Sequence, residues 1–118
     1  MGAAAEELVA NRLVQAGWKI LARNSRTRYG ELDIVALDGR TLVFVEVKAG
    51  RRAPASGPER PIHSIGPRKQ RRIRRLAAAW MAGRRDLPLY SEIRLDAVGV
   101  TLDRDGRVHD YEHIEDAF

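Results

Sequence analysis

The sequence predicts a single α/β domain, a mixed β-sheet flanked by helices, with elements in the order α-β-β-β-α-β-β. Three observations carry this expectation. Two segments repeat apolar residues at helical spacing, and several short runs are rich in Val, Ile and Leu. Two of those runs are joined by an Asp-Gly turn signal. A chain of 118 residues is also one domain's worth and long enough to bury a core.

The elements follow in order. Gly2 to Ala16 reads as a helix, because Ala5, Leu8, Val9, Leu13 and Ala16 make one apolar face and Gly17 stops it. Trp18 to Asn24 alternates loosely and is the first strand. Glu31 to Leu37 and Thr41 to Val47 are the next two, with Leu-Asp-Gly-Arg as the hairpin signal between them. Ala49 to Pro67 holds Pro54, Gly57, Pro58, Pro61 and Gly66, and reads as a functional or mobile loop without regular structure. Arg68 to about Gly83 is the second helix, with Pro67 suited to its first turn. Ile93 to Thr101 is a strand, and Arg107 to His113 follows the turn Asp105-Gly106. The core spans residues 2–101, and residues 102–118 form an acidic hairpin or tail.

Composition narrows the class of function. There is no cysteine, which excludes disulfides and cysteine-bound zinc and makes a reducing cytoplasm the simplest home. The first residues carry Glu6 and Glu7 without a basic head, unlike a signal peptide. No apolar run approaches the roughly 20 residues that span a bilayer. The net charge is +5, unevenly spread. From Arg51 to Arg75, Lys and Arg greatly outnumber the lone acid Glu59, whereas the residues from Asp103 onward are mostly acidic among their charges. A basic block inside a domain suggests a polyanionic partner such as nucleic acid; a solvated arginine-rich surface fits it as well.

The hairpin holds the candidate chemistry. Residues two apart on a strand share a face. Glu31, Asp33, Val35 and Leu37 therefore share one, and Leu32, Ile34 and Ala36 the other. On the following strand Leu42, Phe44, Glu46 and Lys48 share a face opposite Val43, Val45 and Val47. If Asp38 and Gly39 are the loop, Asp33 lies diagonal to Glu46; if Gly39 and Arg40 are, it lies directly opposite. Either even-length loop gathers Asp33, Glu46 and Lys48 at the end away from the turn, with Cβ separations of about 5 to 7 Å. The remaining positions are apolar, so both faces are expected to be covered. Charges there are costly unless they pair or bind a metal. The geometry alone fits a divalent cation on Asp33 and Glu46 and a structural ion pair with Lys48 equally well.

Gly30-Glu31-Leu32-Asp33, followed after 12 intervening residues by Glu46-Val47-Lys48, resembles the PD-(D/E)XK nuclease core. More closely, Gly2 to Val100 resembles the YraN-like family of small bacterial proteins, regarded as predicted endonucleases related to archaeal Holliday junction resolvases and restriction endonucleases. The motifs are Gly2, Ala5 and Glu6 in the opening helix, Gly17 and Arg23-Asn24 around the first strand, and Phe44-Val45-Glu46-Val47-Lys48 at the centre. Lys69 and Arg94-Leu95-Asp96 complete them, with Leu95 where the family has an aromatic. The resemblance implies a restriction-endonuclease-like fold and a metal-dependent endonuclease hydrolysing DNA phosphodiester bonds, in branched or in repair and recombination intermediates. On that reading Asp33, Glu46 and the Val47 carbonyl hold Mg²⁺ or Mn²⁺, and Lys48 orients the attacking water or offsets charge on phosphorus.

Further candidates come from helix geometry. Glu6 lies on the edge of the first helix's apolar stripe and Glu7 on its far side, so Glu6 is placed to reach the sheet; an acid in a first helical turn is the plainer alternative. Glu31 shares the Asp33 face. Lys69 heads the second helix's stripe of Ile73, Leu76, Ala77 and Trp80, and either points toward phosphate or snorkels outward. Arg68, Arg71, Arg72, Arg74 and Arg75, with Arg51 and Arg52 in the loop, read as phosphate contacts. His63 and the tryptophans are assigned surface and core roles. Two other functions compete: a non-catalytic nucleic-acid-binding module that keeps the fold, and a domain whose basic helix meets an acidic protein. By analogy, junction resolution would call for a homodimer.

Overall fold

A computed structural model describes residues 2–51 and 65–118. Its elements are α1 (Gly2–Gln15), β1 (Lys19–Thr27), β2 (Gly30–Asp38), β3 (Thr41–Arg51), α2 (Pro67–Ala82), β4 (Glu92–Leu102) and β5 (Val108–Ile114). They form one five-stranded sheet in the order β1-β2-β3-β4-β5. The first three strands are an antiparallel meander, β3 and β4 run parallel, and β5 returns antiparallel. A parallel pair needs a long crossover, and the segment between β3 and β4 contains α2.

The helices lie on opposite faces of the sheet. Ala5, Val9, Ala10 and Leu13 of α1 pack with Ile34, Ala36, Val43, Val45, Val98 and Val100. On the other side Leu76, Ala77 and Trp80 of α2 pack with Val35, Leu42 and Phe44. Trp80 meets Phe44 edge to face, with centroids 5.8 Å apart. The apolar run Leu42 to Val45 thus makes β3 a strand buried on both faces.

Several expected boundaries shift. β1 continues past Asn24 to Thr27. β3 continues through Lys48 to Arg51, because β4 stays in parallel register with it as far as Arg51 and Leu102; Ala49 to Arg51 are strand rather than loop. Pro67 is the first residue of α2 rather than the last of the loop. Ala16 is exposed, since α1 ends one residue earlier, before Gly17 at φ 93°; Ala10 takes the place on the stripe.

One departure matters for the site. Leu32 packs on the α2 side with Val35, whereas Ile34 and Ala36 pack on the α1 side, so Leu32 and Ile34 do not share a face. On β1, opposite Leu32, Ser25 accepts a 3.0 Å hydrogen bond from Trp80 of α2. Between these pairs stands Asn24 at φ 49°, a left-handed conformation that Asn tolerates better than most residues. The strands rotate through Asn24 and Asp33 instead of alternating.

Asp96 of β4 is wholly buried. Arg94 donates to it through Nε at 2.9 Å and Nη2 at 3.0 Å, the Asp116 amide donates at 3.0 Å, and His113 Nε2 lies 2.8 Å from its Oδ2. Burial pushes its carboxyl up, but the bonds from His113, Arg94 and Asp116 outweigh it and hold the pKa below the ordinary carboxylate range. Half-buried Trp18 lies edge-on to His113 at 5.6 Å, with the Arg94 guanidinium 5.5 Å from its ring. This cluster fastens the C-terminal residues to β4. Removing one partner of a buried ion pair costs about 3–5 kcal/mol, so Asp96→Ala is expected to lower the unfolding free energy by about 3 kcal/mol in urea titrations. A loss under about 0.5 kcal/mol, the size of an ordinary surface change, would show that the cluster does not hold the fold.

Candidate metal centre

The hairpin turn fixes how the acids meet. Asp38 pairs with Thr41 and Leu37 with Leu42, so Gly39 and Arg40 form the two-residue loop, with Gly39 at φ 60°. The ladder continues to Ile34 and Val45, and the same register carries Asp33 opposite Glu46. Here the strand rotation takes effect. The Asp33 carboxylate lies toward β3, where its Oδ2 accepts the Val47 amide at 2.8 Å. In an extended strand a residue's N–H and C=O project to the same edge, so the Val47 carbonyl faces β2 as well.

Val47 and Ala49 pack on the α1 side. Glu46 and Lys48 therefore face α2, which supplies Lys69 and Arg72. Glu31, Asp33, Glu46, Lys69 and Arg72 line one hollow of about 220 Å³, floored by Ile73 and Leu76. Lys69 also comes within hydrogen-bonding reach of Lys48, whose charge lowers the Lys69 pKa. Lys69 is exposed and lines the hollow beside the carboxylates. Arg72 reaches the hollow across Gly30, which sits at φ 137°; a Cβ there would lie 2.8 Å from an Arg72 guanidinium nitrogen.

Two of these acids, Glu46 and Glu6, are harder to ionise than ordinary carboxylic acids. Burial, and then the charge of Asp33 and a hydrogen bond to it, push Glu46 up to about 8. Glu6 reaches Asp33 from the α1 side and bonds to Asn24; burial and Asp33 raise its pKa too. Glu7 points away and pairs with Arg23 at 2.8 Å on the surface. Asp33 is thus the link between Glu6 and Glu46, but the three do not converge on a point. Among the described residues no group of three or more His, Cys, Asp or Glu side chains is placed to hold a metal ion. Two carboxylates and a peptide carbonyl nevertheless make an all-oxygen set of the kind that suits Mg²⁺ or Mn²⁺, which commonly keep waters and take substrate phosphate as further ligands.

The basic residues divide. Arg68, Arg71, Arg72 and Arg75 line a second hollow together with Tyr29. Arg52, His63 and the side chain of Arg51 lie outside the described residues. Neither helical periodicity nor the hairpin register singles out Tyr29, Arg26, Arg28 or Arg84, and Asn24 enters only through the resemblance. The pattern Arg-Thr-Arg-Tyr-Gly over residues 26–30 was the available signal: charged residues and an aromatic in a turn just before Asp33.

A model of the family described as "Uncharacterised protein family UPF0102" matches residues 5–100. A UPF0102 protein of Rhodococcus opacus is 42% identical over 118 residues, covering 100% of this chain and 95% of that one. One from Streptomyces griseus is 46% identical over 106 residues, covering 90% and 86%. One from Geotalea uraniireducens is 42% identical over 118 residues, covering 100% and 88%. The matched span contains Glu6, Asp33, Glu46, Lys48 and Lys69. With a family model over most of its length and near full-length relatives at this identity, the chain belongs to the UPF0102 family, the YraN-like proteins whose motifs it carries.

Proposed function

We propose that this chain is a metal-dependent endonuclease of restriction-endonuclease-like fold that hydrolyses phosphodiester bonds in DNA, with branched repair or recombination intermediates as its substrates. The observation that carries this reading is the half-buried carboxyl pair of Asp33 and Glu46, set beside the Val47 carbonyl and faced by Lys48, Lys69 and Arg72. An ion pair would neutralise Glu46. Instead it stays protonated to about pH 8 despite two cationic neighbours, Lys69 and Arg72, as a group awaiting a stronger positive charge would.

Asp33, Glu46 and the Val47 carbonyl would hold Mg²⁺ or Mn²⁺. When bound, such an ion polarises phosphate and makes water a better nucleophile at neutral pH. The rest falls to the chain. The Val47 amide fixes the Asp33 carboxylate, and Glu6 orients it from the far side. Lys48 would orient the attacking water, and Lys69, its neighbour, would offset charge on the phosphorus. Arg72, laid across Gly30, directs a phosphate into the hollow. Work on both strands of a junction would need two copies, hence a homodimer.

Purified protein with a labelled branched DNA is expected to nick it in Mg²⁺ and not in EDTA. Asp33→Ala and Glu46→Ala should each cut the rate by more than about 100-fold while DNA binding persists. Binding without any cleavage would favour the other reading, a non-catalytic nucleic-acid-binding module. Cleavage indifferent to both substitutions would end the assignment of the site.

The raised pKa of Glu46 makes a separate expectation. Below pH 4.5 both folded and unfolded forms carry its proton. Between 4.5 and about 8 only the folded form does, so this group's stabilising contribution is lost as pH rises through about 8. In EDTA the melting temperature is expected to fall over that window, and Glu46→Gln should flatten the fall. Added Mg²⁺ should restore wild-type stability at pH 9 more than at pH 6, because the ion competes with the proton. A Mg²⁺ effect independent of pH would contradict this.

A further inference from the structure

Three hollows run in series along the α2 face. The one holding Asp33 and Glu46 shares Arg72 with a second, of about 370 Å³; the second shares Tyr29 and Arg75 with a third, of about 850 Å³. Arg26, Arg28 and Arg84 line the third, between the β1–β2 turn and the end of α2. Among the described residues no carboxylate lines either the second or the third hollow. Exposed arginines massed without acids favour an anionic occupant.

An aromatic ring stands among these charges. Tyr29 is 40% exposed, and the guanidinium groups of Arg28 and Arg75 lie 4.8 and 5.5 Å from its ring centroid. Beyond it Arg84 lies 4.6 Å from the centroid of Trp80. The turn presenting Tyr29 is held by its own bonds: Thr27 Oγ1 accepts the Tyr29 amide at 3.1 Å and donates to the Gly30 carbonyl at 3.0 Å. Asp33 follows four residues later, on the strand that leaves this turn, so the platform is tied to the carboxylate pair by continuous backbone. Gly30, just after Tyr29, lacks the Cβ that would displace Arg72 from the junction of the first two hollows.

Resting on the endonuclease reading, we infer that these hollows are the track of an unpaired DNA strand, whose bases stack on Tyr29 and whose phosphates lead past Arg72 to Asp33 and Glu46. A duplex buries its base faces and offers this surface only phosphates. A flexible strand offers both phosphates and rings, which is the combination of arginines and an exposed tyrosine found here. The substrate class that follows is DNA with a single-stranded arm beside the cut, such as a flap or splayed end, rather than blunt duplex. An acidic peptide would satisfy the arginines but bring no ring to stack beside the tyrosine.

The test is fluorescence anisotropy in EDTA with two probes: a blunt duplex, and the same duplex carrying an arm of about ten unpaired nucleotides. Wild-type protein is expected to bind the armed probe about tenfold more tightly. Tyr29→Ala should bring that ratio close to one, and Tyr29→Phe, which keeps the ring, should preserve it. Arg84→Ala should weaken binding of the armed probe and lower its salt slope by about one. Arg104→Ala, which removes the same charge from the β4–β5 turn, should change nothing. Equal affinity for both probes, a preference that survives Tyr29→Ala, or displacement of the armed probe by oligoglutamate as readily as by an unlabelled single strand would each overturn the inference. Mg²⁺-dependent nicking, read separately, keeps the two ideas apart. Nicking without an arm preference sinks the track and leaves the nuclease. A tyrosine-dependent preference without nicking leaves the track and sinks the nuclease.

Discussion

The hydrogen bond from the Val47 amide to Asp33 governs this structure. At this point the β2–β3 ladder gives way, and a side chain takes the backbone amide. An amide on a central strand cannot go without a partner at little cost. Asp33 meets that need, and in doing so brings a carboxylate into the plane of the sheet rather than onto one of its faces. From there it touches Glu46 on the α2 side and Glu6 on the α1 side. The opposite strand accommodates the same rotation at Asn24, whose left-handed backbone turns β1 and whose side chain bonds Glu6. One local distortion, shared by two strands, thus connects Glu6 and Glu46, which lie on opposite sides of the sheet, through Asp33.

Around that distortion the two helices have different tasks. α1 is mostly apolar toward the sheet and contributes a single carboxyl near its start. α2 buries Ile73, Leu76, Ala77 and Trp80 and turns its charged residues to the sides of that stripe. Lys69 and Arg72 lie a turn or less before and beside the buried residues, so they reach the carboxyl pair, while Arg68, Arg71 and Arg75 continue away from it toward Tyr29. The same helical period that seats α2 on the sheet sets out its cations in a row leading from the acids.

Much of this was legible in the sequence, for reasons that can be stated. The stripe of α2 is read directly, because the period of a helix is fixed and its buried residues are large. The hairpin is equally plain, since Asp38-Gly39-Arg40 admits few loops, and any loop of even length brings Glu46 and Asp33 together. What escaped depends on contacts distant in sequence. Nothing local shows that β3 extends to Arg51; the partner β4, beyond the helix, decides it. Nothing in the alternation of Glu31 to Leu37 shows that Leu32 changes face, since that follows from a left-handed residue on another strand. The role of Asp96 needed His113 and the amide of Asp116, and Tyr29 became interesting only when α2 set arginines around it.

Asp96 also gives the contrast that best explains the pair at the other place. Both are acidic groups removed from water, at comparable energetic risk. Asp96 is met by a guanidinium, an imidazole and an amide, and its pKa is depressed. A fold that needed Glu46 for stability had the same means available, with Lys69 and Arg72 close by. Instead it sets Glu46 against another acid, which leaves the group half-buried and protonated to about pH 8. That arrangement is a poor way to hold a fold together, because replacing the proton with a negative charge is destabilising. It is a good way to hold a cation, because a divalent ion removes in one step the repulsion between the acids and the cost of their ionisation. The difference between the two clusters, in one small sheet and built from the same kinds of side chain, separates the residues that secure the structure from those that, on the proposed reading, are kept ready for chemistry.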